Sequence, residues 1–307
     1  MNVFNKINGI LLLDKPYGIS SNLFLQKIKK LLYIKKIGHT GTLDVLSTGM
    51  LPMCLGQATK CAKYFLNFNK KYKVIAKLGE RTITGDAEGD IISIRPVLIM
   101  KSNIKNALNI FKGEIYQIPP MFSSIKYKGK HLYEYARKNI ILKRKPRKIH
   151  VYSIKLLFYS KKIIELEIYC SKGTYIRSII DDLGEKLNCG AHIMTLRRIK
   201  IDNFNEKNMI TLRFLDKISN NVNLFTKEIN KVLLPIDKSM NFMPQINLNY
   251  EISKKIKFGQ IININKYKKQ SGLFRLTEGK EKKFFGIGEL LLCGKLIPKN
   301  IFFYTHF

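Results

Sequence analysis

Ile164-Glu-Leu-Glu-Ile-Tyr-Cys170-Ser-Lys-Gly-Thr-Tyr-Ile-Arg177-Ser-Ile-Ile-Asp-Asp-Leu183 changes its hydrophobic period in mid-course. Up to Cys170 the pattern is strict alternation. Ile164, Leu166, Ile168 and Cys170 point one way, while Glu165, Glu167 and Tyr169 point the other, as in a strand with one buried face. Past Lys172-Gly173 the apolar positions become Ile176, Ile179, Ile180, Leu183 and Leu187. That spacing predicts an amphipathic helix starting near Thr174.

The same two periods recur outward along the chain. Tyr72, Val74, Ala76 and Leu78 alternate with Lys73, Ile75 and Lys77 and predict a half-buried strand. Ile7–Leu13 reads as a buried strand that ends in the turn Lys15-Pro16-Tyr17-Gly18. Ser20 or Ser21 then caps a helix with Phe24, Ile28, Leu31 and Leu32 on its apolar face. Ser102 opens another short helix through Ile104, Leu108 and Phe111. Helices and strands mix without a regular βαβ beat, so the class is α+β, built on a mixed, largely antiparallel sheet flanked by helices. Residues 205–243 read as helical and then irregular, with Pro235 and Pro244 bracketing a boundary. Beyond it come short β-like runs, Ile261–Ile264, Leu273–Leu276 and Phe284–Leu292. Two domains are therefore expected, a large one over 1–243 and a small β-rich one over 244–307.

Across 307 residues, 45% are apolar and 25% charged, which excludes disordered and fibrous classes. The net charge of +33, from 55 Lys+Arg against 22 Asp+Glu, points to a polyanionic partner, nucleic acid before membrane. Only 10 of the 55 cations are Arg, a Lys-rich profile that codon drift in an AT-rich genome also produces. Residues 250–307 hold 12 Lys+Arg and 4 Asp+Glu, a net +8, leaving +25 for the rest, so charge does not single out one domain.

The five cysteines form no CxxC pair and the five histidines no HExxH spacing. No metal or other cofactor is expected, and the thiols read as reduced. His131, His150 and His306 are read as structural. The run Gly9–Leu13 is far shorter than the roughly 20 residues of a membrane helix. A cytoplasmic location away from membranes is the expectation.

Gly38-His39-Thr40-Gly41-Thr42-Leu43-Asp44 holds the first candidate chemistry. Its two glycines permit a tight turn and close approach of a ligand, and it lacks the Walker pattern. Asp44 reads either as a cap for the following element or as a catalytic carboxylate, with His39 a ring that touches substrate. A lone Asp qualifies as nucleophile where water is scarce and a cation keeps it ionised. Arg177 is a candidate for that cation, about 100° round its helix from buried Ile176; the other reading is a surface Arg. Tyr72 and Tyr175 flank these elements, as packing residues or as pocket walls.

Gly9-Ile-Leu-Leu-Leu-Asp-Lys-Pro-Tyr-Gly-Ile-Ser-Ser21, the Gly38–Asp44 stretch with Thr48-Gly49, Lys71-Tyr72-Lys-Val74, Cys170-Ser-Lys-Gly-Thr-Tyr-Ile-Arg177, Gly190-Ala-His192 and Leu196-Arg-Arg198 follow one another in this order. The set closely resembles the bacterial TruB-type tRNA pseudouridine synthases from about residue 7 to 240. Phe258-Gly259 and Phe285-Gly-Ile-Gly-Glu289 in the final module are similar to the family's RNA-binding PUA-type domain.

The resemblance implies a pseudouridine synthase-like catalytic domain that isomerises uridine 55 in the T-loop of tRNA by base flipping and an aspartate-dependent exchange of a glycosidic C–N for a C–C bond. It implies Asp44 as the catalytic aspartate, His39 as the ring that enters the T-loop and Tyr72 as the aromatic under the target base. Tyr175, Arg177 and the backbone around Leu196 match the remaining pocket wall. The partner implied is the tRNA T-arm, with no protein partner and a monomeric enzyme. Val45 stands where the family usually has proline, and Thr42 and Ser47 where alanine is common; without that proline a looser catalytic loop is expected. An alternative is a tRNA-binding or tRNA-folding protein with weak or no isomerase activity, in which Asp44 is dispensable.

Overall fold

A computed structural model describes residues 7–264, 266 and 270–303; His306 lies outside the described residues. The first sheet has nine strands: β1 Gly9–Lys15, β2 Ile37–His39, β3 Thr48–Leu55, β4 Lys70–Leu78, β5 Gly113–Gln117, β6 Arg147–Tyr159, β7 Ile163–Cys170, β8 Ala191–Ile201 and β9 Phe204–Asn205. Their spatial order is β1-β3-β8-β4-β7-β6-β5, with β2 added to β3 and β9 to β8. All pairs are antiparallel except β3–β8, which meet at Arg197↔Thr48 and Arg198↔Gly49. The mixed, largely antiparallel α+β reading agrees with this arrangement.

Alternation divides the sheet into two apolar faces, as a pleated strand requires. Leu11, Leu13, Val74, Ala76, Leu166 and Ile168 meet the helices α1 Ser21–Leu31, α2 Lys101–Ile110 and α3 Ile176–Lys186 in the main core. Ile10, Leu12, Met50 and Cys54 point the other way and meet Phe65, Ile201, Phe284, Ile287 and Phe302. That second cluster joins the C-terminal module to the back of β1 and β3. Lys60 Nζ on the Ile301 carbonyl (2.7 Å) and Tyr64 Oη on Asn300 Oδ1 (2.7 Å) seal its edge.

The module is a five-stranded sheet in which β10 Gln245–Leu248, β12 Gly272–Glu278, β13 Lys283–Leu290, β14 Lys295–Ile301 and β11 Ile262–Asn263 lie in that order. It also contains a helix, Tyr250–Lys257, that a reading by β-like runs passes over. Asn249 caps it and Ile256 anchors it, but its lysines hide the period. Along the chain between the two sheets come helices Leu212–Ser219 and Val222–Val232, which pack into the main core, and a short turn of helix at Ile236–Ser239.

Some boundaries differ from expectation for local reasons. β1 runs on to Lys15, whose side chain is fully buried. Of the two expected caps it is Ser20 that serves α1, accepting the Leu23 N–H, which frees Ser21 for another task. α3 starts at Ile176 because Tyr175 stays extended (φ −97°, ψ 107°) and the Thr174 hydroxyl bonds back to the Ser171 carbonyl at 3.0 Å. Among the described residues no helix is long and apolar enough to cross a membrane.

The β3–β8 junction tolerates no side chain at residue 49. Gly49 has φ +96°, and a Cβ there would stand 2.3 Å from the Arg198 carbonyl oxygen. Left-handed strain and the clash act together, so Gly49→Ala is expected to destabilise the fold by about 2–4 kcal/mol. Denaturant unfolding would read this as a lower midpoint at unchanged m-value, and an unshifted midpoint would refute it.

Candidate active site

The loop after β2 is held over the sheet by buried polar side chains. Arg198, on β8 and 1% exposed, donates from Nε to the Met50 carbonyl (2.7 Å) and from Nη2 to the Gly41 carbonyl (3.0 Å). Ser21 grips the other end. Its hydroxyl donates to the Leu43 carbonyl and accepts the Leu43 N–H, both at 2.8 Å. Lys15 Nζ completes the clamp by donating to the carbonyls of Pro16, Ile19 and Val45. Val45 is held by its carbonyl, which also accepts the Gly18 N–H at 3.1 Å.

This clamp leaves Asp44 projecting into a cleft of about 870 Å³. Its Oδ2 lies 3.1 Å from Arg177 Nε, and the Ser47 N–H goes to the backbone carbonyl of Asp44, so the carboxylate caps nothing. Arg177 is buried rather than on the surface. Nη1 donates to the Thr84 carbonyl (3.0 Å) and Nη2 to the Phe122 carbonyl (2.7 Å), while Asp86 Oδ2 stands 3.7 Å from Nε. Five N–H groups in a fixed plane suit this task, and a lysine could not span these acceptors. Asp86 is itself fixed, accepting from Thr84 Oγ1 (2.6 Å) and the Glu88 N–H (3.2 Å).

The walls come from the sheet ends. Tyr72 on β4 lies opposite Arg198 in the β4–β8 register and opposite Ile168 in the β4–β7 register. Burial pushes its phenol up, so the ring is neutral in any working buffer. Leu196 on β8, 7% exposed, borders the same cleft. Tyr175 is pinned at its backbone by Gln117, which accepts the Tyr175 N–H (2.8 Å) and donates to its carbonyl (2.9 Å). His39, at the end of β2, lines the cleft with its buried Nδ1 unpartnered among the described residues. Burial, then the nearby Arg198, holds its pKa below the usual value, so the ring is neutral at pH 7.

Asp44, Arg177, His39, Tyr72, Tyr175 and Leu196 thus border one cleft. Lys15, Ser21, Asp86 and Arg198 support it, though the sequence alone assigns none of them to the site. Lys15 carried a signal, a lysine closing an apolar strand. Asp86 carried none beyond its place in a glycine-bordered turn. Among the described residues no cluster of three or more His, Cys, Asp or Glu is arranged to hold a metal ion.

Two opposed effects set the charge of Asp44. Its side chain is 42% accessible, yet the surrounding cleft wall screens it from bulk water, and that desolvation pushes its carboxyl up. Arg177 and, more weakly, Lys15 pull it down, while Asp86 adds to the rise. Lys15 is lowered to about 8 by burial, against the opposing pull of Asp44 and Glu88. A depressed lysine sheds its proton in the native state before the unfolded one does. The unfolded chain then binds more protons between about pH 8 and 10.5, and stability rises with pH across that window. Compared with Lys15→Met, the native protein should gain stability over that range in urea titrations; a parallel pH dependence of the two would contradict the assignment.

Comparison with known proteins agrees with the architecture. Residues 29–176 match the model described as TruB family pseudouridylate synthase (N terminal domain). Residues 177–241 match the tRNA pseudouridylate synthase B C-terminal domain, and 244–302 match Pseudouridine synthase II TruB, C-terminal. The chain is 49% identical to the tRNA pseudouridine synthase B of Sodalis glossinidius, over 96% of this chain and 95% of that protein. It is 52% identical to that of Wigglesworthia glossinidia brevipalpis, over 94% and 88%. Among solved structures it resembles a chain of a Cbf5-Nop10-Gar1 complex, with TM-score 0.71 and 25% identity over 96% of this chain and 84% of that one. A Nop10-Cbf5 complex gives TM-score 0.72 at 22% identity over 99% and 90%, a likeness of fold. With this extent of identity joined to the fold, the chain belongs to the TruB family of pseudouridylate synthases.

Proposed function

We propose that this enzyme converts uridine 55 in the T-loop of tRNA to pseudouridine, acting as a single chain without a cofactor. The observation that carries the reading is Asp44 beside the buried guanidinium of Arg177 at the floor of a cleft walled by Tyr72 and Leu196. The relatives named tRNA pseudouridine synthase B support tRNA as the substrate.

The reaction breaks the bond from C1′ of the ribose to N1 of uracil and forms one from C1′ to C5. The C5 hydrogen leaves as a proton and N1 gains one, so no oxidant or energy carrier is required. The target base must first leave its stack, at a cost of a few kcal/mol. Stacking on Tyr72 returns roughly 1–3 kcal/mol of this, and the neutral His39 ring fills the space left in the loop. Asp44, whose carboxyl Arg177 pulls down against the rise from desolvation, supplies the nucleophile or base that starts the exchange. Arg177 also fixes the carboxylate's direction through its bonds to Thr84 and Phe122. The lysine-rich surface supplies salt-sensitive phosphate contacts, and residues 244–307 are read as the RNA-binding second domain of a cytoplasmic enzyme.

Asp44→Asn is expected to bind an unmodified tRNA transcript within a fewfold of wild type and to form no pseudouridine at the T-loop, with no metal or nucleotide added. Conversion by the variant would exclude Asp44 as the catalytic group. Failure of both proteins to convert, with tight binding by both, would favour the tRNA-binding alternative. Arg177→Met removes the cation that lowers the Asp44 carboxyl. Its rate should fall by roughly 100-fold or more, and the acid limb of the pH–rate profile should move to higher pH; an unmoved limb would argue against the electrostatic role.

A further inference from the structure

A second aromatic surface lies on the back of the sheet, beside the cleft but outside it. Ile149, Val151, Ile168 and Cys170 face the core, which turns His150, Tyr152 and Tyr169 outward. Their rings form a row. The His150 and Tyr152 centroids are 4.5 Å apart, those of Tyr152 and Tyr169 5.0 Å, with interplanar angles of 36° in both cases. Tyr152 is 47% exposed.

The backbone places this row by an irregularity. The β6–β7 register steps from Val151↔Cys170 to Ser153↔Tyr169, leaving Tyr152 as the extra residue of a bulge. A bulge interrupts pairing, and here it leaves Tyr152, already outward by alternation, without a register partner on β7.

The row is continuous with the cleft wall. The Ser171 hydroxyl accepts the His150 N–H (2.9 Å), the Ser171 N–H donates to the His150 carbonyl (2.8 Å), and Ser171 borders the cleft. Tyr152 Oη reaches Asn69 Oδ1 at 3.3 Å, next to Lys70, which also borders it. The surrounding charge is cationic. Glu167 is paired with Lys71 and Glu114 with Lys148. Among the described residues no carboxylate pairs with Lys155 or Lys172, and Lys172 Nζ reaches only Asn67 Oδ1 at 2.7 Å.

We propose that His150, Tyr152 and Tyr169 form a second RNA-binding site, where an unpaired base of the substrate RNA packs against this row of rings outside the cleft. Aromatic rings at a surface, bordered by lysines without carboxylate partners, are the chemistry that holds single-stranded nucleotides without reading their sequence. The inference rests on the reading of the substrate as RNA, and it adds a contact that bears on affinity and not on the bond exchange.

The test uses the full chain and an unmodified tRNA transcript, with Kd from filter binding and pseudouridine formation measured separately. Tyr152→Ala should raise Kd about 5- to 100-fold, with the loss in KM rather than in the rate at saturating RNA. Tyr152→Phe keeps the ring and should bind within twofold of wild type. Both variants should melt with wild type, since Tyr152 is outside the core. An unchanged Kd for Tyr152→Ala, or an equal loss in Tyr152→Phe, would overturn the proposal. If wild type forms no pseudouridine while the Kd shift persists, the synthase reading fails and the stacking site stands.

Discussion

Arg198 carries a charged fork of N–H donors into the interior, and a guanidinium buried this fully must be given oxygen acceptors. It finds them in the carbonyls of Met50 and Gly41. Three separate stretches are thereby tied together: the end of β8, the start of β3 and the glycine loop that ends in Asp44. Removing the guanidinium would leave two inward carbonyls unpaired and the loop without its inner support. The position of the Asp44 carboxylate therefore depends on a residue that does not face it. The Ser21 and Lys15 contacts act in the same way from the opposite side, each satisfying backbone groups of a loop too short to satisfy its own.

Held in this way, the carboxylate is desolvated beside a fixed cation that offsets part of the resulting rise. Desolvation by the cleft raises Asp44 and Arg177 lowers it, and the balance resides in the protein rather than in the solvent. Arg177 contributes because its other N–H groups are spent on Thr84 and Phe122, so it does not swing away when the cleft fills. Rigid dipoles and charges set before the substrate arrives need no reorganisation during reaction.

Most of this was legible in the amino-acid order where periodicity was strong. The switch from alternation at Ile164–Cys170 to helical spacing after Gly173 located β7 and α3, and the motif set located Asp44 and Arg177. What escaped reading was what depends on contacts distant in sequence. Asp86 faces Arg177 across more than one element, and nothing local to it reports a buried cation. The helix Tyr250–Lys257 escaped because three lysines in its last turn obscure a two-residue apolar face. The bulge at Tyr152 leaves no trace in composition, since it is defined by the register of its partner strand.

The second apolar face of β1 bears on how the chain is made. Ile10 pairs with Leu234 and Ile10 packs with Phe284 and Phe302, while Leu11 and Leu13 find partners much sooner. At roughly 5–20 residues per second, synthesis from Ile10 to Leu234 takes on the order of tens of seconds. Through that interval the back of the strand that opens the sheet is covered only in part, by Ala58, Cys61 and Phe65. The order of folding is thus imposed by the ribosome: the strand made first is finished last, when residues 234–302 complete its cover.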